Sequence, residues 1–324
     1  MKMKKTPLTI SVGLLALALS NTALADYPER PIQLIVPWSA GGGTDAVGRQ
    51  LAAGLEKELG QSVNVVNRTG GGGIIGHTHI ANAQPDGYNI GLITGELTTY
   101  RNMGVATVSH EDVTPIALVN LDPAAFTVSA DAPWQTLDEA VADIEKADLG
   151  TYTASGTGPG APYHLAFSGF LDTQGIDPNN VSLVPSEGAA PALQELAGGG
   201  IDIVFSSLPE TEAMRNSERV RTLAVFADER VEAFPNIPTA SEITGQPWTG
   251  GTWRGLAGPE GLPEDVVQTL ADATQKVYET EEFQNFMANR GFGTAWRDPQ
   301  AFTDFLTESD ASNGPLIDKL GLAQ

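Results

Sequence analysis

Three glycines and the two polar residues that follow them form the part of this sequence best suited to bind a ligand. Gly41, Gly42 and Gly43 stand directly before Thr44 and Asp45. The first amides of a helix lack intrahelical acceptors, and glycine lets a ligand come close to them. We therefore expect this segment to hold an anion through neutral N–H groups and the positive end of a helix dipole.

A strand and a helix must flank the glycines for this chemistry to occur. The apolar run from Gln33 to Trp38 predicts a strand. Apolar residues then recur at helical spacing, at Val47, Leu51, Leu55 and Leu59. We expect Thr44 to be the N-cap, Asp45 to lie in the first turn and Gly60 to end the helix. One such loop is a weak signal, because every α/β protein joins strands to helices.

The order of strand, glycine-containing loop and helix occurs four times in the chain. The three later loops are 68–73, 155–159 and 186–188, and the helix after the last is predicted to span Ala189 to Ala197. In open α/β sheets, the loops at the carboxyl ends of the strands gather at one crevice. The four loops are therefore expected to face a shared cleft.

The predicted elements are arranged as one domain inserted into another. A strand is predicted at Asn89 to Thr94 and a helix at Leu137 to Lys146, on either side of two strands at 115–120 and 125–129. Asp122-Pro123, between those two strands, is the expected first crossing. The sequence therefore predicts a first lobe made of residues 26–122 and 228–324, and a second lobe made of residues 123–227.

The amino terminus has the features of a secretory signal peptide. A basic start is followed by an apolar segment from Leu8 to Leu19 and by Ala23-Leu24-Ala25. This pattern predicts export to the periplasm with cleavage after Ala25. A dozen apolar residues are too few to span a bilayer of about 30 Å. Cleavage would remove three lysines and no acidic residue, which takes the formal charge from −22 to about −25.

Composition excludes several classes of function. The chain has no cysteine, which excludes disulfides, thiolate metal sites, a cysteine nucleophile and a lipid anchor on cysteine. A strongly negative protein repels nucleic acid and anionic membrane surfaces. We expect an exported monomer whose partner is a small molecule.

No set of residues assembles catalytic or cofactor chemistry. The segment Gly156 to Ala161 fits a dinucleotide-binding pattern, but Pro159 is foreign to that turn. His77 and His79 lie two apart in a predicted helix and point to different faces, which argues against a metal pair. His164 is interpreted as a packing or capping residue. We predict recognition without turnover, with no cofactor and no metal.

Five segments, in this order, resemble the TctC or Bug family, the periplasmic receptors of tripartite tricarboxylate transporters. They are IVPWSAGGGTDAVGRQLAAGLEKELG, VNVVNRTGGGGIIGHTHIANAQPDGYNIG, ASGTGPGAPYHL, VPSEGAAPALQELAGGGIDIVFSSLPE and PNIPTASEITG. The resemblance implies a two-lobed Venus-flytrap fold with type II-like topology, each lobe a mostly parallel sheet flanked by helices. It also implies capture of an organic acid by loop backbones and bridging waters, and delivery to a membrane permease with a large and a small subunit.

The resemblance also implies which residues hold the ligand. In the first lobe they are Ser39, Gly41, Gly42, Gly43, Thr44, Asp45, Gly71, Gly72 and Gly73. In the second lobe they are Ser155, Gly156, Thr157, Gly158, Gly188 and Ala189. Residues at strand ends and in the fourth loop complete the predicted site: Trp38, Glu187, Ser206 and Trp253.

The sequence departs from the family pattern at two of these loops. Many members have proline where this chain has Thr69, which leaves the second loop less rigid. Many have Tyr-Lys where this chain has Ser186-Glu187. That change removes a cation beside the cleft and adds an anion, which argues against the usual citrate or dicarboxylate preference.

The leading hypothesis is a non-enzymatic receptor for a small carboxylate. Three alternatives stay open at this point. One is an exported hydrolase or dehydrogenase that acts on a small acid in the same cleft. Another is a ligand sensor that serves a two-component system. The third is a structural or adhesive protein, which would have no deep cleft.

Overall fold

The structure, a computed structural model, describes residues 27–323. The predicted signal peptide and its cleavage site lie outside the described residues. The strands are β1 Ile32–Val36, β2 Val63–Asn67, β3 Asn89–Thr94, β4 Val113–Ser129, β5 Tyr152–Ser155, β6 Val181–Leu183, β7 Ile203–Ser207, β8 Val220–Val225, β9 Gly251–Pro259 and β10 Thr294–Arg297. The helices are α1 Gly43–Leu59, α2 Ile74–Ala81, α3 Tyr100–Met103, α4 Leu137–Lys146, α5 Pro162–Thr173, α6 Ala189–Ala197, α7 Leu208–Asn216, α8 Ala240–Thr244, α9 Glu264–Glu279, α10 Glu281–Arg290 and α11 Pro299–Lys319. Within residues 27–323, no helix has the length and apolar character needed to cross a membrane.

The strands form one curled sheet with two similar halves. Its order is β2-β1-β3-β9-β4-β7-β5-β6, and β8 and β10 also pair with β4. In the first half β1 runs parallel to β2 and β3, and in the second half β5 runs parallel to β6 and β7. Strands β4 and β9 are antiparallel to their neighbours and join the two halves. Below, "first half" means strands β1–β3, β9 and β10 with the helices that pack on them, and "second half" means strands β5–β8 with the helices that pack on them.

Strand β4 carries the chain from the first half to the second without a break. Its residues 113–123 pair with β9, and its residues 124–129 pair with β7 and β8. The prediction of two separate strands around Asp122-Pro123 is therefore wrong. Pro123 lies where β4 changes partners from β9 to β7, and it pairs with Gly251, where a Cβ atom would lie only 1.9 Å from the carbonyl oxygen of Asp122.

Helices cover both faces of the first half. On one face Leu34 of β1 packs with residues of α1, α9 and α10, among them Leu51, Leu270 and Phe283. On the other face Ile93 of β3 packs in a cluster with Phe302 of α11. Burial of apolar side chains on both faces is typical of parallel sheets and explains the continuous apolar runs in these strands.

The second half is built in the same way. Phe126 and Phe205 pack on one face with Ile144 of α4 and Phe167 of α5. On the other face, Leu193 of α6 belongs to a smaller cluster with residues of β7 and β8. The α/β class with helix-flanked sheets is confirmed.

The segment that leads back to the first half packs mainly on the second. Ala240 belongs to the core of the second half, and Trp248 donates a hydrogen bond from Nε1 to the carbonyl oxygen of Ala166 at 2.9 Å. Gly250 donates to the carbonyl oxygen of Phe226 at 3.1 Å. The division of the chain into lobes stays a prediction, and this packing favours a return crossing near Gly250 over the predicted one after residue 227.

Candidate functional site

Segments that follow six parallel strands line two neighbouring cavities between the halves. In the first half they follow β1, β2 and β3, and in the second half they follow β5, β6 and β7. This is the edge at which open α/β sheets place their ligands. The two cavities, here called inner and outer, have one lining residue in common, Glu96.

The inner cavity is small, with a volume of about 20 Å³. The predicted site residues that line it are Trp38, Ser39, Gly42, Gly43, Thr44, Thr157, Gly188 and Ala189. The sequence reasoning missed the other lining residues, which are Thr94, Glu96, Tyr163, Ala190, Glu210, Thr252 and Arg254. Both halves therefore contribute polar groups to one enclosed space.

The outer cavity is larger, with a volume of about 400 Å³. The predicted site residues that line it are Gly71, Gly72, Gly158 and Glu187. Much of the remaining wall is apolar, with side chains from the first half and the carboxy-terminal segment: Ile74, Met103, Val105 and Leu322. An elongated ligand would reach solvent through this cavity.

Several predicted site residues line neither cavity. They are Gly41, Asp45, Gly73, Ser155, Gly156, Ser206 and Trp253. Trp253 packs edge-to-face on Phe302 and Phe305 in the core of the first half. Its predicted ligand contact has no support in this geometry.

Asp45 stabilises the conformation of the first glycine loop through hydrogen bonds. Its carboxylate accepts hydrogen bonds from the amide of Gly41 at 3.0 Å, from Asn67 Nδ2 at 2.9 Å and from Arg49. Burial by itself would raise the pKa of Asp45, but these hydrogen bonds outweigh burial and hold the pKa below its ordinary value. Asp45 thus stays ionised and orders the loop.

The two halves touch each other across the cleft. Ser39 donates a hydrogen bond from Oγ to the carbonyl oxygen of Glu187 at 3.0 Å. A Cβ atom at Gly158 would lie 3.8 Å from the Cα atom of Gly72, so the second and third glycine loops are in near contact. The cleft is therefore closed in this structure.

A carboxylate of the protein itself lies at the amino terminus of α1. Glu210 accepts a hydrogen bond through Oε1 from the amide of Gly43 at 3.0 Å. Its Oε2 accepts from the amide of Ser207 at 2.9 Å and from the Tyr163 hydroxyl at 3.0 Å. The carboxylate of Glu210, from the second half, therefore takes part of the place that the sequence predicted for an anionic ligand at this helix end.

The predicted N-cap of α1 is also corrected. Gly42 is the N-cap, and it makes no side-chain capping bond. Thr44 lies inside the first turn, and its hydroxyl accepts a hydrogen bond from Arg254 Nε at 3.0 Å. Within residues 27–323, the amides of Thr44 and Asp45 find no acceptor. Of these two residues Thr44 lines the inner cavity, so its amide, rather than the amide of Gly43, is available to a ligand there.

Arg254 joins three segments behind the inner cavity. Its side chain is 1% exposed and pairs with the buried carboxylate of Asp122 on β4. It also donates to Asn120 and lies 3.5 Å from Glu210 of the second half. Burial alone would lower the pKa of Arg254, but Asp122, Tyr163 and Glu210 outweigh burial and raise it. The guanidinium therefore remains charged.

Glu96 is a buried acid in the wall that both cavities share. Its side chain accepts a hydrogen bond from the Thr94 hydroxyl, which in turn accepts from Trp38 Nε1 at 3.1 Å. Burial raises the pKa of Glu96 to about 7. Near neutral pH this carboxyl group is therefore close to half protonated.

Four hydroxyl groups of the second half are buried without a hydrogen-bond partner among the described residues. They belong to Ser155, Thr157, Ser168 and Ser206. Thr157 is 6% exposed and lines the inner cavity. Buried hydroxyl groups normally have partners, so Thr157 offers a polar contact to whatever enters this space.

His77 and His164 have structural roles. His77 accepts from the amide of Thr94 through Nε2, and its Nδ1 lies 3.0 Å from the Tyr100 hydroxyl, which donates to the carbonyl oxygen of Gly72. Burial lowers the pKa of His77 to about 3, so the ring is neutral. His164 Nδ1 accepts from the amide of Gly160, as a capping residue would. Within residues 27–323 no cluster of side chains is suited to hold a metal ion.

The sequence contains a signal for one of the missed residues, Glu96, but none for another, Glu210. Glu96 is the second residue after β3, so the rule that ligands lie at the carboxyl ends of strands could have found it. Glu210 contacts Gly43 over a separation of 167 residues in a helix that the sequence analysis did not predict. No local pattern points to that contact.

Comparison with known proteins places the chain among solute receptors. A family model described as "Tripartite tricarboxylate transporter family receptor" matches residues 47–322. A UPF0065 protein of Bordetella pertussis is 30% identical over 313 residues, which cover 95% of each chain. A TctC solute-binding protein from Polaromonas, solved without ligand, is 38% identical with a TM-score of 0.65 and covers 90% of this chain and 99% of that one. The periplasmic binding protein BugD is 30% identical with a TM-score of 0.84 and covers 92% and 99%.

Two more distant structures contain carboxylates. MatC from Rhodopseudomonas palustris, with bound malate, is 24% identical with a TM-score of 0.82 and covers 90% of this chain and 100% of that one. Rpa4515 of R. palustris, with adipate, is 23% identical with a TM-score of 0.86 and covers 92% and 99%. At these identities the likeness shows the fold alone.

Proposed function

This chain belongs to the tripartite tricarboxylate transporter receptor (TctC) family, and from that premise we propose that it captures a small organic carboxylate between its two halves and delivers it to a membrane permease with a large and a small subunit. Receptors of this family are periplasmic solute-binding proteins and not enzymes. We expect the mature receptor to be a monomer that is released by cleavage after Ala25.

One observation carries the proposal that the ligand is an acid. Two hydrogen-bond donors that have no acceptor in the described part of the chain lie at the inner cavity, one from each half. They are the Thr157 hydroxyl and the amide of Thr44. Ser39, Gly188 and Ala189 line the same space. Converging neutral donors near helix amino termini favour a carboxylate.

The size of the inner cavity indicates that the halves move. A volume of about 20 Å³ is close to the space of a single water molecule. A ligand therefore needs the halves to separate before it enters and to close around it afterwards. We propose that the two chain crossings, within β4 and near Gly250, act as the hinge. Closure on the ligand would then report its presence to the permease.

Titration of the purified mature receptor with carboxylates tests this function. A ligand at 100 times its dissociation constant should add about 2.7 kcal/mol to the free energy of unfolding, which a thermal-shift screen of mono-, di- and tricarboxylates detects. Calorimetry on the best ligand then gives the affinity. Failure of every carboxylate to shift a folded receptor would refute the proposal.

Gly158→Val should weaken carboxylate binding about tenfold or more while the fold is retained. Gly158 has no left-handed φ, so valine suits the backbone there, but its methyl groups would reach toward Gly72 and obstruct closure. Overpacking of this kind costs about 1–3 kcal/mol. Calorimetry measures the change, and Gly198→Val, at an exposed glycine with φ −89° at the end of α6, is the matched control. Equal affinities for the two variants would contradict the proposed contact between these loops.

A further inference from the structure

We infer that this receptor selects carboxylates with a single anionic group, and that a cationic group at the far end of the ligand strengthens binding. The inference rests on the proposed function, because it concerns the same two cavities. Two of the matched structures hold dicarboxylates, so the inference separates this chain from those proteins.

The first reason is the balance of charge around the cavities. Within residues 27–323, three acids line them: Glu96 in both, Glu187 in the outer and Glu210 in the inner. The one basic side chain in either wall is Arg254, and it is already engaged by Asp122 and Glu210. No cation is left to compensate a second carboxylate, and an uncompensated like charge in a closed site is strongly unfavourable.

The second reason is where Glu96 lies. Glu96 forms part of both walls, so a ligand that occupies both cavities would lie beside it. Glu96 is only 3% exposed, so water screens it weakly. An ammonium group in the outer cavity would be attracted to Glu187 and would favour the ionised form of Glu96, whereas a carboxylate there would be repelled by Glu187 and by Glu96 whenever Glu96 is ionised.

The third reason fixes the orientation of the ligand. The unpartnered Thr157 hydroxyl, at the inner end, points independently to a polar group that is bound there. Among the described residues, no hydroxyl group that lines the outer cavity is buried without a partner, and this cavity presents the apolar side chains of Ile74, Met103 and Val105. The carboxylate therefore lies inside, an aliphatic body crosses the apolar wall, and the far end meets the two glutamates.

The test uses three ligands that differ only at the far end. Hexanoate, adipate and 5-aminopentanoate carry a methyl, a carboxylate and an ammonium group on the same chain of four methylenes, and butyrate, succinate and 3-aminopropanoate form a shorter set. Calorimetry at neutral pH should rank the amino acid first, the monocarboxylate second and the dicarboxylate at least about tenfold weaker than the monocarboxylate, as expected for like charges facing each other.

Paired variants identify the groups responsible. Glu96→Gln combined with Glu187→Gln should bring the three ligands within about threefold of each other, because both end groups then meet neutral amides. Glu229→Gln combined with Glu260→Gln makes the same change in net charge at two exposed positions and should leave the ranking unchanged. Should the paired cleft variant fail to fold, Glu187→Gln alone, at an exposed loop residue, gives a second measurement and should narrow the ranking in the same direction.

The possible outcomes separate the inference from the function it rests on. Adipate or succinate binding as tightly as the matching monocarboxylate would overturn the inference and leave the receptor function intact. The same holds if the amino acids bind no more tightly than the monocarboxylates. If no ligand of either set and no acid of the wider screen binds the folded receptor, the proposed function itself is refuted.

Discussion

Replacing Arg254 with methionine is expected to lower the free energy of unfolding by about 3–5 kcal/mol, the usual cost of removing one partner of a buried ion pair. The guanidinium is the charged partner of Asp122, which is 1% exposed. Methionine fills a similar volume but leaves that carboxylate charged and enclosed. It also removes the donor to Thr44 in α1 and the contact with Glu210. Chemical denaturation of the mature receptor measures the loss.

Two further variants show whether the lost charge pairing is the cause. Adding Asp122→Asn to Arg254→Met removes the uncompensated charge and should recover part of the lost stability. Arg290→Met makes the same substitution at an exposed arginine that lies over the ring of Phe286, and it should cost less than about 1 kcal/mol. A loss in Arg254→Met no larger than that of Arg290→Met would refute the role assigned to the pair.

Glu96→Gln should stabilise the receptor at pH 8 but not at pH 4. The pKa of Glu96 is raised to about 7 by burial, from an ordinary value of 4.5. Between these values the folded state binds the proton more readily than the unfolded state, so the contribution of Glu96 to stability falls as pH rises through this window and stays low above it. The shift corresponds to about 3 kcal/mol, at roughly 1.4 kcal/mol for each pKa unit.

The measurement is the difference in unfolding free energy between variant and wild type across the pH range. Any constant cost of burying the amide group cancels in this comparison. Glu260→Gln, at an exposed position, is the control and should give a small difference that does not change with pH. A Glu96→Gln difference that is equally independent of pH would mean that the carboxyl group is not held in its neutral form by burial.

Local sequence patterns predicted the boundaries of helices and strands accurately where a single local pattern was enough to define the boundary. Strand β3 at Asn89–Thr94 and helices α4 at Leu137–Lys146 and α6 at Ala189–Ala197 have the predicted bounds. Helix α4 also has a capping box at Thr136, a signal contained in a few neighbouring residues. The same reasoning was wrong at β4, because proline normally interrupts a strand, whereas Pro123 lies where β4 changes partners from β9 to β7 and the strand continues.

The sequence by itself determined that strand–glycine loop–helix units recur and that their loops should meet, because turn chemistry and apolar spacing are local properties. Family resemblance added the receptor class, which the family match confirmed. Only the tertiary structure decided that Glu210 accepts a hydrogen bond from the amide of Gly43, and that Arg254 donates one to Thr44, 210 residues away in the sequence. The spacing of residues does not encode such contacts, because they depend on how the two halves of the sheet are brought together.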